Sequence, residues 1–179
     1  MKKNLLIIVL FLNASILMSQ DWSRYKYEEL GFIADFPSVP EKNVQKVDTE
    51  VGQLDMHMIM VSKKEGEDDN FVYLLVRSDY PKSQFINATK EYNKEVLDGA
   101  IAGAVKNIKG KILYDKTVRF NGYPGRVTKI KIDGGYLYLN CYLVDNIMFI
   151  CEVICPVSKD NNKSISRFMD SFEIIKTKN

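Results

Sequence analysis

The stretch RVTKIKIDGGYLYLNCYLVDNIMFICEVICP, Arg126 to Pro156, decides the fold. Apolar and aromatic residues fill three runs, Arg126–Ile132, Tyr136–Val144 and Ile147–Cys155. Between them lie only Asp133-Gly134-Gly135 and Asp145-Asn146, residue types that favour tight hairpin turns. Three strands joined by turns this short must pair antiparallel, and Pro156 ends the ladder because proline has no N–H to donate. A two-residue Asp145-Asn146 turn sets Cys141 opposite Ile150 and turns Cys151 to the other face.

Working back, Lys111–Phe120 reads as a further strand, joined by the turn Asn121-Gly122-Tyr123-Pro124-Gly125. Before it the period changes. Tyr92, Val96, Leu97, Ala100, Ile101, Ala104, Val105 and Ile108 recur at spacings of three and four, one stripe of an α-helix over Phe85–Ile108. Gly99 and Gly103 beside the stripe are expected to form a flat patch for close approach to the sheet, and Gly110 stops the helix. Earlier still, Asn43–Glu50, Gln53–Lys63 and Phe71–Ser78 are strands, with Gly52 turning the first pair and a charged loop, Lys63–Asn70, between the last two. Arg24–Glu28 and Phe32–Phe36 form a hairpin around Gly31. Beyond Pro156, Ser158 or Asp160 caps a last helix to about Ser171, buried by Ile165, Phe168 and Met169, and Phe172–Ile175 adds a short strand. The expectation is one α+β domain: an antiparallel sheet of six to eight strands, with one long helix and a C-terminal helix packed on it.

The N-terminus gives an address. Lys2 and Lys3 precede an apolar run from Leu5 to Met18, then Ser19 and Gln20, and then the polar, aromatic stretch from Asp21. This is the layout of a secretory signal peptide, too short to span a bilayer. Residues 1–20 are therefore read as a signal, with 21–179 as the exported domain, periplasmic or secreted and without stable membrane insertion after cleavage. Cleavage removes two bases and no acid, leaving 23 bases against 23 acids. Such a balance supplies no attraction to nucleic acid or anionic membrane.

Three motif-like places resemble the PsbP-like domains. YEELGFIADFPSVP, Tyr27 to Pro40, resembles that family's opening element of an aromatic residue, Gly-Phe, a strand and proline. RFNGYPGRVTKI, Arg119 to Ile130, resembles its central strand–turn–strand piece. VSKDNNKSISRFMDSFEI, Val157 to Ile174, resembles its closing helix and Ser-Phe strand. The resemblance implies an αβα sandwich in an exported bacterial protein. It implies a non-catalytic domain that binds or steadies partner proteins, with no active-site residues to carry over.

The search for chemistry gives little. His57, the only histidine, alternates with Met56 and Met58 on a strand and reads as solvated; an enzyme would need it in a cleft near Asp55 and a nucleophile. The chain has no C-x-x-C, H-E-x-x-H, G-x-S-x-G or EF-hand spacing, and no cofactor is expected. Glu65, Glu67, Asp68 and Asp69 read as a solvated loop. Cys151 and Cys155 lie about 13 Å apart along one strand, too far to bridge. The cysteines read as buried thiols, the alternative being one Cys141–Cys151 bridge across a three-residue turn. Tyr123, Arg126, Tyr136, Tyr138 and Tyr142 are the candidate binding residues, as an exposed tyrosine face meeting an envelope protein or glycan, with Arg126 as polar anchor. The alternatives are that the long helix covers this face and that Arg126 pairs with a sheet carboxylate. A small-molecule carrier, with a cavity lined by Met56, Met58 and Met60, is the further reading.

Overall fold

A computed structural model describes residues 22–49 and 52–175. The expected signal peptide and its cleavage point lie outside the described residues. The described residues build two antiparallel sheets and two α-helices. The small sheet has the order β1-β2-β10, from β1 (Ser23–Tyr27), β2 (Phe32–Phe36) and β10 (Glu173–Ile174). The large one comprises β3 (Glu41–Thr49), β4 (Gly52–Ser62), β5 (Val72–Asp79), β6 (Lys111–Phe120), β7 (Tyr123–Ile132), β8 (Gly135–Val144) and β9 (Ile147–Pro156). Its order is β3-β4-β5-β9-β8-β7-β6, so β9 is the seam that joins the two meanders. Helix α1 (Lys90–Ile108) covers one face; α2 (Lys163–Ser171) and the small sheet cover the other.

Both faces of the central strands are apolar, which is what burial on two sides requires. Tyr73, Leu75, Tyr142, Phe149, Cys151 and Val153 meet Phe32 and Phe36 of β2 and Phe168 of α2 on one side. Leu137, Leu139, Cys141, Leu143 and Met148 meet Leu97 and Ile101 of α1 on the other. Each such side chain, fully buried, contributes roughly 1.5–3 kcal/mol.

Several boundaries move for local reasons. Helix α1 starts at Lys90, not Phe85, because the Thr89 hydroxyl caps it by accepting from the Tyr92 amide. It ends with Lys109 left-handed (φ 51°), and Gly110 follows because a Cβ there would lie 2.4 Å from Ile130 Cγ2. The expected five-residue turn is only Asn121-Gly122, both at positive φ (51° and 88°). The next strand begins at Tyr123, and Gly125 sits inside it against the Cys141 carbonyl. The cap of α2 is Asn162, not Ser158 or Asp160; its Oδ1 accepts from the amides of Ser164 and Ile165. The expected flat patch on α1 is also corrected: a Cβ at Gly99 or Gly103 would meet nothing within 4 Å. These glycines do not press on the sheet.

Candidate functional site

The proposed tyrosine face is not an exposed surface. Tyr138 and Tyr142 are 9% and 6% exposed. The small sheet and α2, not the long helix, cover them: the Tyr142 ring stacks on Phe120 and Phe172. The Tyr138 hydroxyl bonds Asp160 (2.5 Å) and accepts from the Asn161 amide (3.1 Å). Tyr136 and Tyr123 are partly buried against the same cluster. Lys129, buried, bonds Asp160 at 2.7 Å and lies over the Tyr136 and Tyr138 rings. Alternation places Arg126 on the opposite face, so the five residues do not come together.

Arg126 pairs instead with carboxylates. Its guanidinium grips Asp115 of β6 through Nε (2.8 Å) and Nη2, and Asp98 of α1 through Nη1. Thr128 adds a bond to Asp115 (3.1 Å), and Lys94 holds Asp98 at 2.5 Å. Hydrogen bonds from Lys94 and then Arg126 hold the Asp98 carboxyl below its usual range. The cluster pins α1 over β7 and β6, and its charges satisfy one another.

Two clefts among the described residues hold polar candidate side chains. The larger, about 620 Å³, lies between the acidic loop and the start of α2, with Trp22, Phe71 and Pro156 among its walls. Its charges are largely spoken for: Lys159 pairs Asp69 at 2.7 Å, and Arg167 lies over the Trp22 ring. Asp68 accepts from Tyr73 and from the Asn70 amide, and Asn70 and Asn162 exchange amide bonds, so the loop is stapled to the α2 cap. Among the described residues no three acidic, histidine or cysteine side chains converge as metal ligands.

The smaller cleft, about 270 Å³, contains His57. The strand histidine therefore faces a shared recess, not open solvent. Cross-strand pairing sets it between Val44 of β3 and Arg77 of β5. Arg77 is clamped by Asp79 through three bonds (2.9–3.1 Å), and Lys42 is paired with Glu29 at 2.9 Å. Asp55 is not among the lining residues, nor is a serine, threonine or cysteine. The three cysteines are buried free thiols, as Cys141 opposite Ile150 requires. Burial pushes the Cys141 thiol up to about 12 and that of Cys155 up to about 11, away from nucleophilic form.

The least occupied region is on the α1 face. Helix α1 rests on β7 and β8, leaving a strip over β9, β5 and β4 half open. Met58 and Met60, Val72 and Leu74, and Ile154 line it, each partly exposed. Met56, Met58 and Met60 line neither of these two clefts, and each is partly exposed on its strand. In the midst of the strip stands Glu152, between Leu74 and Leu139 across the strands and between Ile150 and Ile154 along its own. Among the described residues no hydrogen bond or ion pair reaches its carboxyl, and burial among these side chains pushes its pKa up to about 7. Glu152 belongs to no motif of the sequence. The signal was there: a single charge inside the apolar run Ile147–Cys155.

No family model matches this chain, and no curated protein does. Among solved structures it is similar to the solution structure of cyanobacterial PsbP (CyanoP) from Synechocystis sp. PCC 6803. The TM-score is 0.53 at 10% identity, over 88% of this chain and 95% of that one. The fold is therefore PsbP-like α+β. Among the described residues no helix is long and apolar enough to cross a membrane.

Proposed function

We propose that this chain is an exported accessory domain without catalysis of its own. It acts in the periplasm or outside the cell by binding and steadying an envelope protein. The observation that carries this reading is the partly exposed apolar strip over β9, β5 and β4, where Met58, Met60, Val72, Leu74 and Ile154 keep contact with solvent beside the ground that α1 takes on β7 and β8. Contiguous apolar surface of this kind marks protein contact, and methionine adapts to the partner it meets. The test is capture of the tagged protein from its own cell envelope with mass spectrometry, run beside a Met58→Glu variant. A partner held by the native chain and released by the variant supports the reading. No partner above background overturns it.

A second reading draws on the cleft at His57, as a site for a small ligand or an unrecognised reaction. Loss of a measured ligand-binding or hydrolytic activity in His57→Ala would support it.

A further inference from the structure

We infer that the strip over β9, β5 and β4 receives one amphipathic α-helix of a partner protein, lying beside α1 with a lysine or arginine of its apolar face set against Glu152. The inference rests on the accessory-binding reading above and specifies the chemistry of the partner.

The width fits one helix. Neighbouring strands lie ~4.8 Å apart, so β9 to β4 spans about 10 Å between outer strands, the diameter of one helix. Helix α1 already occupies the adjoining strip over β7 and β8. What is offered is a sheet face, not an edge; the edges are β3 and β6. A helix covers a face well because its backbone groups are bonded internally and it needs only side-chain contact.

The flank of α1 suits a neighbour. Asp98 turns toward Arg126 and Asp115, on the β6 side. At 100° per residue from the buried Leu97 and Ile101, Asn93, Val96, Ala100 and Asn107 then lie on the other flank, toward β9 and β5, with Gly103 on its solvent side. Nothing stands within 4 Å of a Cβ built at Gly103. Helix axes approach to ~8 Å only where the side chains between them are small.

Charge selects the occupant. Among the described residues Glu152 is the one charged side chain in the floor of the strip, and no hydrogen bond or ion pair reaches it. Beyond the strip, Arg126, Asp98 and Asp115 are committed to each other, and Arg119 bonds the Gly122 carbonyl. At the rim, Glu41 of β3 stands opposite Met60 and adds a second negative charge. An unpaired carboxylate among aliphatic groups is unfavourable, and a cation brought in on an apolar helix face relieves it. Burial among these side chains raises the pKa of Glu152.

The experiment places a photo-crosslinking benzoylphenylalanine at Met60, and as control at Lys116 on the far edge strand β6, in the full chain exported by its own cell. The crosslinked peptide is sequenced. The matching partner segment is then synthesised for affinity measurement against the native chain, Glu152→Gln, Glu152→Lys and Gly103→Leu. Expected is a crosslink from position 60 and not 116, to a segment with apolar residues at spacings of three and four and a Lys or Arg among them. Glu152→Lys and Gly103→Leu each weaken binding by about tenfold or more with the thermal midpoint preserved. Glu152→Gln weakens it less, and a Lys→Glu change in the partner peptide restores binding to Glu152→Lys. A crosslink to a second copy of this chain, to lipid or to an extended segment overturns the helix while leaving an accessory role standing. So does undiminished affinity of a folded Glu152→Lys. Absence of any captured partner overturns both.

Discussion

Arg126 and Glu152 sit on the same face of the sheet, and the environment gives them opposite standing. Arg126 has three hydrogen bonds to two carboxylates and a fourth group, Thr128, that orients one of them. Arg126→Met keeps the alkyl volume and leaves Asp115, whose side chain is 17% exposed, without its partner. The expected loss is roughly 2–4 kcal/mol by urea unfolding, and Asp115→Asn in the same chain recovers part of it. A loss below about 0.5 kcal/mol would class the pair with ordinary surface ion pairs. Glu152 has no such relief. Its pKa rises from about 4.3 in the unfolded chain to about 7 in the folded one, so the folded state binds the proton more tightly. The sign follows: Glu152 lowers stability as pH rises from about 4 to 7, with no further change above. Glu152→Gln is expected to stabilise the domain at pH 8 by roughly 1–2 kcal/mol, discounted for its residual contact with water, and by nothing near pH 3. Parallel stability–pH curves for the two chains would show that the carboxyl is not desolvated.

At the level of the element, glycines of the same chain have opposite meanings. Gly99 lies exposed in mid-helix with open space around it, so Gly99→Ala should stabilise by about 0.5–1 kcal/mol through helix propensity. Gly125 lies in β7, where a Cβ would stand 2.6 Å from the Cys141 carbonyl oxygen and from Tyr142 Cδ1. Gly125→Ala should therefore destabilise by about 1–3 kcal/mol. Thermal midpoints of the two variants, moving in opposite directions, check both. The elements themselves were mostly legible. The Asp145-Asn146 turn sets the β8–β9 register because a two-residue loop leaves no freedom, and the α1 stripe follows from its spacing. What covers each sheet face was not legible. Along β8, Tyr136, Tyr138 and Tyr142 alternate with Leu137, Leu139 and Cys141, and both sets are apolar. Alternation separates two such sets without saying which meets α1 and which meets α2. That assignment depends on β10 returning from the far end of the chain to pair with β2.

For the whole molecule, the layers explain both the stability and the vacancy. The small sheet and α2 close one face of the central sheet with aromatic rings, whereas α1, with Tyr80 and Phe85 of the segment before it, packs on the other. The candidate site was illegible for this reason: Tyr138 and Tyr142 look like a surface in one dimension and are core in three. The thiols give a global readout. Cys141 and Cys151 are fully buried, as is Cys155. In the native protein all three should react with an aromatic disulfide reagent only as fast as the domain unfolds. Rapid labelling of any one without denaturant would show that the layer over it opens locally.

The placement of those cysteines also bears on where the protein can mature. Cys141 and Cys151 project from opposite faces of the sheet, and Cys151 and Cys155 stand two strand repeats apart on one face. No oxidant can join any of these pairs while the strands hold their register. Folding thus contains no redox step, and chains made in a reducing cytosol or an oxidising envelope should be covalently the same domain.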